Sequence, residues 1–323
     1  DKTGTLTQNR MTVAVLDVAE SRMPLPRPED GAFADETCRA ISGNSSLSLL
    51  LTTGCLCNDA EPNPADSTTA TDDVIGEPTE AALVVVASLA GLPKDGLSRI
   101  LPRKSDVPFD SERKRMTTIH QRSGIPAEET SLQNPLSELE EGELVALTKG
   151  AVGSILDVST EVWAANEVRT LDDSWRRRIL TASDELAASG MRVLGFAFRP
   201  LDELPPAGKD VEAEQQLIFL GLMALIDPPR VEVQDAVERC RTAGIRPVMI
   251  TGDHALTAAH IAEELGVTSA ADDAPAVQTG SDLDGKTADD LLSVVEETAV
   301  YARVAPVDKL HIVQALQSNG HVV

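Results

Sequence analysis

The sequence is poor in aromatic residues, in positive charge and in cysteine. Phe, Tyr and Trp together make up 2 % of 323 residues, too few to build stacking platforms for single-stranded nucleic acid. Lys and Arg number 28 against 52 Asp and Glu, a net charge of −24. A chain that acidic has no electrostatic footprint for nucleic acid and nothing to hold it to anionic lipid. The four cysteines, Cys38, Cys55, Cys57 and Cys240, form no C-x-x-C pair and no His-linked metal spacing. They read as reduced thiols. No run reaches the ~18 consecutive apolar residues of a membrane span; the best, Ala81–Leu92, is interrupted by Ser88 and Gly91. There is no signal peptide and no initiator Met. The chain starts on Asp1 inside a motif and stops at Val323 inside an expected strand, so it reads as a piece cut from a longer protein.

What is there is enough for about two domains. Hydrophobic residues are 42 %, too many for a disordered acidic chain. From Leu217 onward, apolar runs alternate with helical patterns: a run at Leu217–Ile226, a helix at Val231–Ala243, a strand at Ile245–Ile250, and a helix at Ala255–Leu265 stopped by Gly266. A strand at Thr298–Val304, a helix at Pro306–Gln317 and a strand from His321 complete the series. Such alternation implies βαβ units and a mostly parallel sheet. The middle differs. Its strand candidates, Met116–His120, Leu144–Thr148 and Val193–Phe198, are amphipathic and are separated by helices such as Pro78–Ala90 and Val168–Ala188. That pattern suggests an antiparallel sheet with helices beside it. Residues 58–75 and 122–143 read as polar loops. The expected organisation is one domain from residues 1–19 and 216–323, with a second, 20–215, inserted into it. The inserted residues are expected to fold alone, and the boundary linkers to act as hinges.

Two local matches are set aside. Gly280–Thr287 (GSDLDGKT) fits the phosphate-loop pattern G-x-x-x-x-G-K-[ST]. A working loop follows a long buried strand, however, and only Ala276-Val277-Gln278 precedes this one. Asp282 and Asp284 would also stand against the phosphates, so it reads as a polar loop before a helix. Asn44-Ser45-Ser46 matches a glycosylation sequon, and nothing else suggests secretion.

The most informative segment is Asp1-Lys2-Thr3-Gly4-Thr5-Leu6-Thr7. It offers a carboxylate followed by a Gly-containing turn whose N–H groups can face an anion. A carboxylate can attack phosphorus and form an acyl phosphate, given cations and donors around the phosphoryl oxygens. The heptad resembles the phosphorylation motif of P-type ATPases. The resemblance recurs in order along the chain: Gly76-Glu77-Pro78-Thr79-Glu80, Phe109–Met116 (FDSERKRM), Lys149-Gly150-Ala151, Met191-Arg192-Val193-Leu194, Asp227-Pro228-Pro229-Arg230, Thr251-Gly252-Asp253, and Ala302–Lys309 (ARVAPVDK). It implies an α/β fold: a haloacid-dehalogenase-like phosphorylation domain with a parallel sheet, carrying a large inserted α+β nucleotide-binding domain with an antiparallel sheet.

The resemblance also implies roles. Asp1 would be the nucleophile for the γ-phosphate of ATP and, with the carbonyl of Thr3, would hold Mg²⁺. Thr3 stands where most haloacid-dehalogenase phosphatases carry a second Asp, which implies slow loss of the phosphate. Thr251 and Gly252 would hydrogen-bond the phosphoryl group, and Lys309 would neutralise its oxygens. Phe109 would stack on adenine, with Lys114 and Met116 on the same strand face if the strand continues unbroken. Lys149 and Gly150 would line the adenine pocket, Glu80 would accept from the base, and Arg192 would reach the phosphates. Arg303 and Asp253 would lie near the ribose and the phosphate end. Each has a plainer alternative: Phe109 as a core ring, Glu80 as a charge favouring a helix N-terminus, Lys309 as a solvated cation.

One departure is Ser111, where calcium pumps of animal muscle carry an Arg; Arg113 or Arg115 is expected to compensate. Cys55-Leu56-Cys57 resembles a packing segment. The chain has no His-Pro dipeptide, which heavy-metal pumps use for adenine, and it has the DPPR return that lipid flippases lack. It looks most like the bacterial relatives of calcium pumps, with manganese, sodium and potassium open as the ion. The implied parent is a membrane ATPase, with this part on the cytoplasmic face of the cell membrane. Its partners would be ATP and the parent's own transmembrane and actuator domains, with no nucleic acid, and the transported cation would bind outside this chain. The family's second Mg²⁺ aspartate is also outside it, so this piece is expected to bind ATP without turnover. The alternatives are a nucleotide-binding module alone, or a soluble haloacid-dehalogenase-like phosphatase.

Overall fold

The segment Ser45–Leu56, SSLSLLLTTGCL, has no charged face, and a helix apolar all round belongs in a core. In the computed structural model it is buried from Ser46 to Leu56. Asn44 caps it, its side chain accepting from the N–H groups of Ser46 (3.1 Å) and Leu47 (3.2 Å). The structure describes residues 2–8, 10–26, 33–63, 74–125, 134–206, 209–252, 255–268, 276–287 and 289–323.

The chain divides into two compact units. The larger comprises Met11–Glu185 and Arg192–Ile226. In chain order its elements are β1 (Thr12–Val18), β2 (Ser21–Pro24), α1 (Asp35–Ser42), α2 (Ser45–Leu56), β3 (Glu61–Pro62), β4 (Val74–Ile75), α3 (Pro78–Leu89), α4 (Lys94–Ile100), β5 (Arg103–Asp110) and β6 (Arg115–Gln121). Then come β7 (Leu144–Gly150), α5 (Val152–Asp157), β8 (Ser159–Ala164), β9 (Glu167–Thr170), α6 (Asp173–Ala188), β10 (Arg192–Leu201) and β11 (Leu217–Ile226).

Among the described residues these strands form a nine-stranded sheet in the order β2-β1-β11-β10-β7-β6-β5, with β8 and β9 branching from β11. All pairs on the main path are antiparallel. One face carries Met116, Lys149 and Phe196, aligned by the pairs Met116↔Lys149 and Phe196↔Lys149. Helices α2 and α3 contribute Leu49, Leu50, Leu83 and Ala87 to a core that includes Met116 and Phe196.

Several expectations are corrected. Leu217–Ile226 does not open the parallel sheet: β11 pairs antiparallel with β1 and β10. It is apolar at every position because it is central and covered on both faces, which a parallel-sheet strand would also be. The expected helix Val168–Ala188 begins only at Asp173, because Glu167–Thr170 forms a hairpin with β8 around Ala165 and Asn166, both at positive φ. The expected loop 58–75 contains the paired β3 and β4, and its residues 64–73 lie outside the described ones. In the expected loop 122–143, Pro135–Ser137 form a single 3₁₀ turn.

The smaller unit comprises Asp1–Arg10, Leu186–Met191 and Asp227–Val323. Its elements are α7 (Val231–Thr242), β12 (Met249–Ile250), α8 (Ala255–Glu264), β13 (Ala276–Thr279), α9 (Gly280–Leu283), α10 (Val294–Glu297), β14 (Thr298–Ala302) and α11 (Pro306–Ser318). The strands form a parallel sheet in the order β12-β14-β13. Tyr301, Ile312, Ala315 and Leu316 pack into its core. The strand expected from His321 is absent; His321 instead places its Nε2 2.9 Å from Glu296.

Candidate functional site

In the larger unit the candidate residues gather at the start of α3. Pro78 occupies the first helical turn, where its missing N–H costs nothing. Glu77 is the cap, its carboxylate accepting from the N–H groups of Thr79 (2.8 Å) and Glu80 (3.2 Å). This fixes Glu80 at the third helical position, where its carboxylate meets Lys149 of β7. Lys149 Nζ lies 2.5 Å from Glu80 Oε1 and 2.5 Å from the carbonyl of Cys57, at the end of α2. Lys149 is only 8 % exposed. Glu80 also accepts from the N–H of Asp59 at 3.3 Å, so it is both a helix-start charge and half of an ion pair.

Arg192 opens β10 and donates to the Thr79 hydroxyl at 2.6 Å. Alternation along β10 puts Arg192, Leu194 and Phe196 on one face, the face of Lys149. Phe109 lies at the end of β5 and is 64 % exposed, so it is not a core ring. Its neighbour Asp110 pairs with Arg115, whose guanidinium lies with Glu214. Between Val107 and Asp110 the pairing of β5 with β6 is bulged, and Phe109 stands in that bulge.

Phe109, Lys114 and Met116 do not share one strand, because the segment is a hairpin. Asp110 folds it: its carboxylate accepts from the N–H groups of Glu112 and Arg113, both at 2.9 Å, and its carbonyl from Lys114 N–H at 2.7 Å. The two side-chain bonds also hold the Asp110 carboxyl below its usual pKa. Lys114 is exposed in the turn at φ +53°. Gly150 serves this turn. A Cβ there would stand 2.5 Å from the Lys114 carbonyl and 2.7 Å from Arg115 Cβ. The close approach lets Ala151 N–H reach that carbonyl at 2.9 Å.

Arg113 and Arg115, expected to compensate for Ser111, are both paired with the buried carboxylate of Glu214. Thr79 and Glu77, which orient Arg192, and Asn58, which bonds the Glu80 carbonyl at 2.8 Å, have roles that sequence reasoning misses. The Pro at the first helical position is the available signal for the Glu77 cap.

The other candidate residues lie in the smaller unit. Asp1 and Asp253 are outside the described residues, and of Thr3 only the backbone is described, in a π-helical turn at Lys2–Leu6. The Asp-Pro-Pro-Arg segment pins the residues on and just after this turn. Asp227 accepts from the Thr7 hydroxyl at 2.6 Å and from Arg10 N–H at 3.1 Å. Arg230 donates to the carbonyls of Thr7 and Gly4, both at 3.1 Å. Thr251 follows β12 and Arg303 follows β14, at the carboxyl edge where open α/β sheets bind ligands. Thr251 is 2 % exposed, and its N–H is held by the Tyr301 carbonyl at 2.8 Å. Gly252 is exposed, and a Cβ there would meet nothing within 4 Å among the described residues. Lys309 sits in the first turn of α11.

The phosphate-loop look-alike is not a cradle. Asp282 caps α9, accepting from the Thr279 N–H at 2.8 Å and hydroxyl at 2.6 Å, so a carboxylate fills the place of an anion. These bonds lower the Asp282 pKa. Gly280 is glycine because a Cβ would strike the Arg303 carbonyl. Among the described residues no group of three or more His, Cys, Asp or Glu could hold a metal, and no single helix is long and apolar enough to cross a membrane.

A large antiparallel sheet with helices on it and a separate parallel α/β unit define a mixed α/β protein of two units, the class to which the comparisons with known proteins can be put. The family model for the P-type ATPase cytoplasmic domain N matches residues 46–232, and that for haloacid dehalogenase-like hydrolases matches residues 147–323. The chain belongs to the P-type ATPases. It is 35 % identical over 328 residues to calcium-transporting ATPase 1 of Bacillus cereus, covering 100 % of this chain and 32 % of that protein. It is 36 % identical over 333 residues to the probable cation-transporting ATPase F of Mycobacterium tuberculosis, covering 100 % of this chain and 34 % of that one. It is 32 % identical over 332 residues to the calcium-transporting ATPase of Bacillus subtilis, with the same coverage of 100 % and 34 %. The chain thus spans about a third of the length of the curated relatives it matches.

Proposed function

We propose that this chain is the ATP-binding and phosphate-accepting part of a cation-transporting ATPase, working at the cytoplasmic face of a membrane. The observation that supports it is the Lys149–Glu80 pair at the start of α3, with Arg192 anchored on the same helix start and the Phe109 ring exposed on the same sheet. Phe109 offers a free ring face for adenine, a contact worth ~1–3 kcal/mol by analogy with base stacking. Lys149 and Glu80 supply a donor and an acceptor for the base edge, with Lys114 and Gly150 beside the base and Arg192 reaching toward the phosphates.

In the reaction, a carboxylate oxygen of Asp1 bonds to the γ-phosphorus while the bond to the β–γ bridging oxygen breaks and ADP leaves. Asp1 and the Thr3 carbonyl would hold Mg²⁺, as the family resemblance implies, and the ion would supply charge neutralisation for the phosphates. Lys309, the Thr251 hydroxyl and the Gly252 N–H bind the transferred group, with Arg303 and Asp253 at its border. The transported cation binds in parts of the protein beyond this chain, and the names of the relatives favour calcium.

The test is calorimetric titration with ATP of the chain as it stands, of Lys149→Ala and of Lys286→Ala. Binding lost in Lys149→Ala and kept in Lys286→Ala is the expected pair of results, and the reverse pair overturns the site. For the nucleophile, label from γ-labelled ATP should enter the full-length protein and be absent in Asp1→Asn.

A further inference from the structure

On the face of the sheet opposite Lys149, one carboxylate is wholly enclosed. Glu214, just before β11, is 0 % exposed. Its Oε2 receives Arg115 Nε at 2.9 Å and Arg113 Nη1, and its Oε1 receives the Thr117 hydroxyl at 3.1 Å. Thr117 is in turn 2.8 Å from Thr148. The two guanidinium groups then hold main-chain carbonyls of the β5–β6 turn. Arg113 Nη2 donates to Pro108 at 2.7 Å. Arg115 Nη1 donates to Ser154 at 3.1 Å, and the Ser154 hydroxyl bonds the Arg113 carbonyl.

These bonds hold the peptides that lead into Phe109 and into Lys114. Pro108 precedes Phe109 directly, and Arg113 precedes Lys114. A ring that is 64 % exposed has little packing of its own, so its direction is set by the backbone that carries it. We propose that Glu214 is a positioning residue for the nucleotide: through Arg113 and Arg115 it fixes the turn and so presents Phe109 to the base. The inference rests on the adenine site proposed above. A buried carboxylate with two guanidinium partners is held for its geometry, since such clusters are weak sources of net stability. Rigidity in the bound conformation raises affinity by removing an ordering cost at binding.

The experiment is ATP titration of the 323-residue chain and its variants, with thermal melts alongside. Glu214→Gln leaves two cations without their counter-charge and should weaken ATP binding about 3- to 10-fold. Asp17→Asn is the matched control: Asp17 is buried in the same sheet with Arg22 at 2.7 Å and Arg178 at 3.3 Å, away from the turn. It should lower the melting temperature and leave ATP affinity unchanged. If Glu214→Gln does not fold, Ser154→Ala tests the same relay.

The deciding readout is coupling with Phe109→Ala. If Glu214 acts through Phe109, the second substitution should cost nothing further in the Phe109→Ala background. Equal losses in both backgrounds overturn the inference, as does Glu214→Gln (or Ser154→Ala in its place) binding like the unaltered chain. Failure of the unaltered chain to bind ATP, by contrast, would overturn the site itself.

Discussion

Lys149 and Glu80 are held together at 2.5 Å by two elements remote in sequence, the end of β7 and the start of α3. The pair is unequal. Lys149 keeps only the Cys57 carbonyl if Glu80 is lost, whereas Glu80 keeps the Asp59 N–H and some solvent if Lys149 is lost. Glu80→Ala should therefore destabilise the chain more than Lys149→Ala, by about 1–3 kcal/mol, because it strands a nearly buried ammonium. Urea denaturation of both variants measures the order, and the opposite order would show that the ammonium is not dependent on its partner.

Gly150 makes a second prediction. The added methyl of Gly150→Ala would face backbone atoms, the Lys114 carbonyl at 2.5 Å and Arg115 Cα at 2.8 Å. Backbone cannot rotate away, so β6 and β7 must separate or the turn must shift. The expected cost is about 1–3 kcal/mol, together with weaker ATP binding, since the turn carries Lys114. A variant as stable as the parent chain would show that the hairpin gives way freely.

The motifs of the site are legible in the sequence, and the elements bearing them largely so. Apolar patterning locates α3, β6, β7, β10 and α11 to within a few residues. Three things are not legible. Leu217–Ile226 is apolar throughout, and burial on both faces leaves no period to separate a parallel from an antiparallel partner. The FDSERKRM stretch reads as one strand, because its turn is made by an Asp110 side chain and a left-handed Lys114 with no Gly or Pro to announce it. Glu214 sits in an ordinary acidic stretch, and only its partners, about 100 residues earlier, give it meaning.

His120 gives a pH dependence. It is buried between the Leu101 carbonyl (2.8 Å) and the Thr118 hydroxyl (2.9 Å), and burial lowers its pKa from 6.5 to about 4. Between those values the unfolded chain binds a proton that the folded chain refuses. Stability is therefore complete above about pH 6.5 and falls as pH falls toward 4. The loss at pH 5 should be on the order of 2 kcal/mol. Denaturant midpoints from pH 7.5 to 5 should fall less steeply in His120→Gln than in the parent chain; parallel slopes would assign the acid loss to other groups.

The last prediction concerns where the nucleotide-binding unit can be cut free. Boundaries at residues 20 and 215, as hydropathy texture suggests, would remove β1 and β11. Strand β11 is the junction of the large sheet, pairing with β1, β10 and β8. Its residues Leu217, Leu220, Met223 and Leu225 are essentially unexposed, and each buried side chain of that size contributes about 1.5–3 kcal/mol. Four such losses rival the whole stability of an ordinary domain, about 5–15 kcal/mol. Removal of β11 would also leave the inner edges of β10 and β8 without their ladder partner, an invitation to aggregation. A piece from residue 11 to residue 226 keeps both strands and should show a cooperative melt by circular dichroism and bind ATP like the full chain. A piece from 20 to 215 should be unfolded or aggregated. If the shorter piece melts cooperatively and binds ATP as tightly as the longer one, β11 is an attachment to this unit rather than its centre.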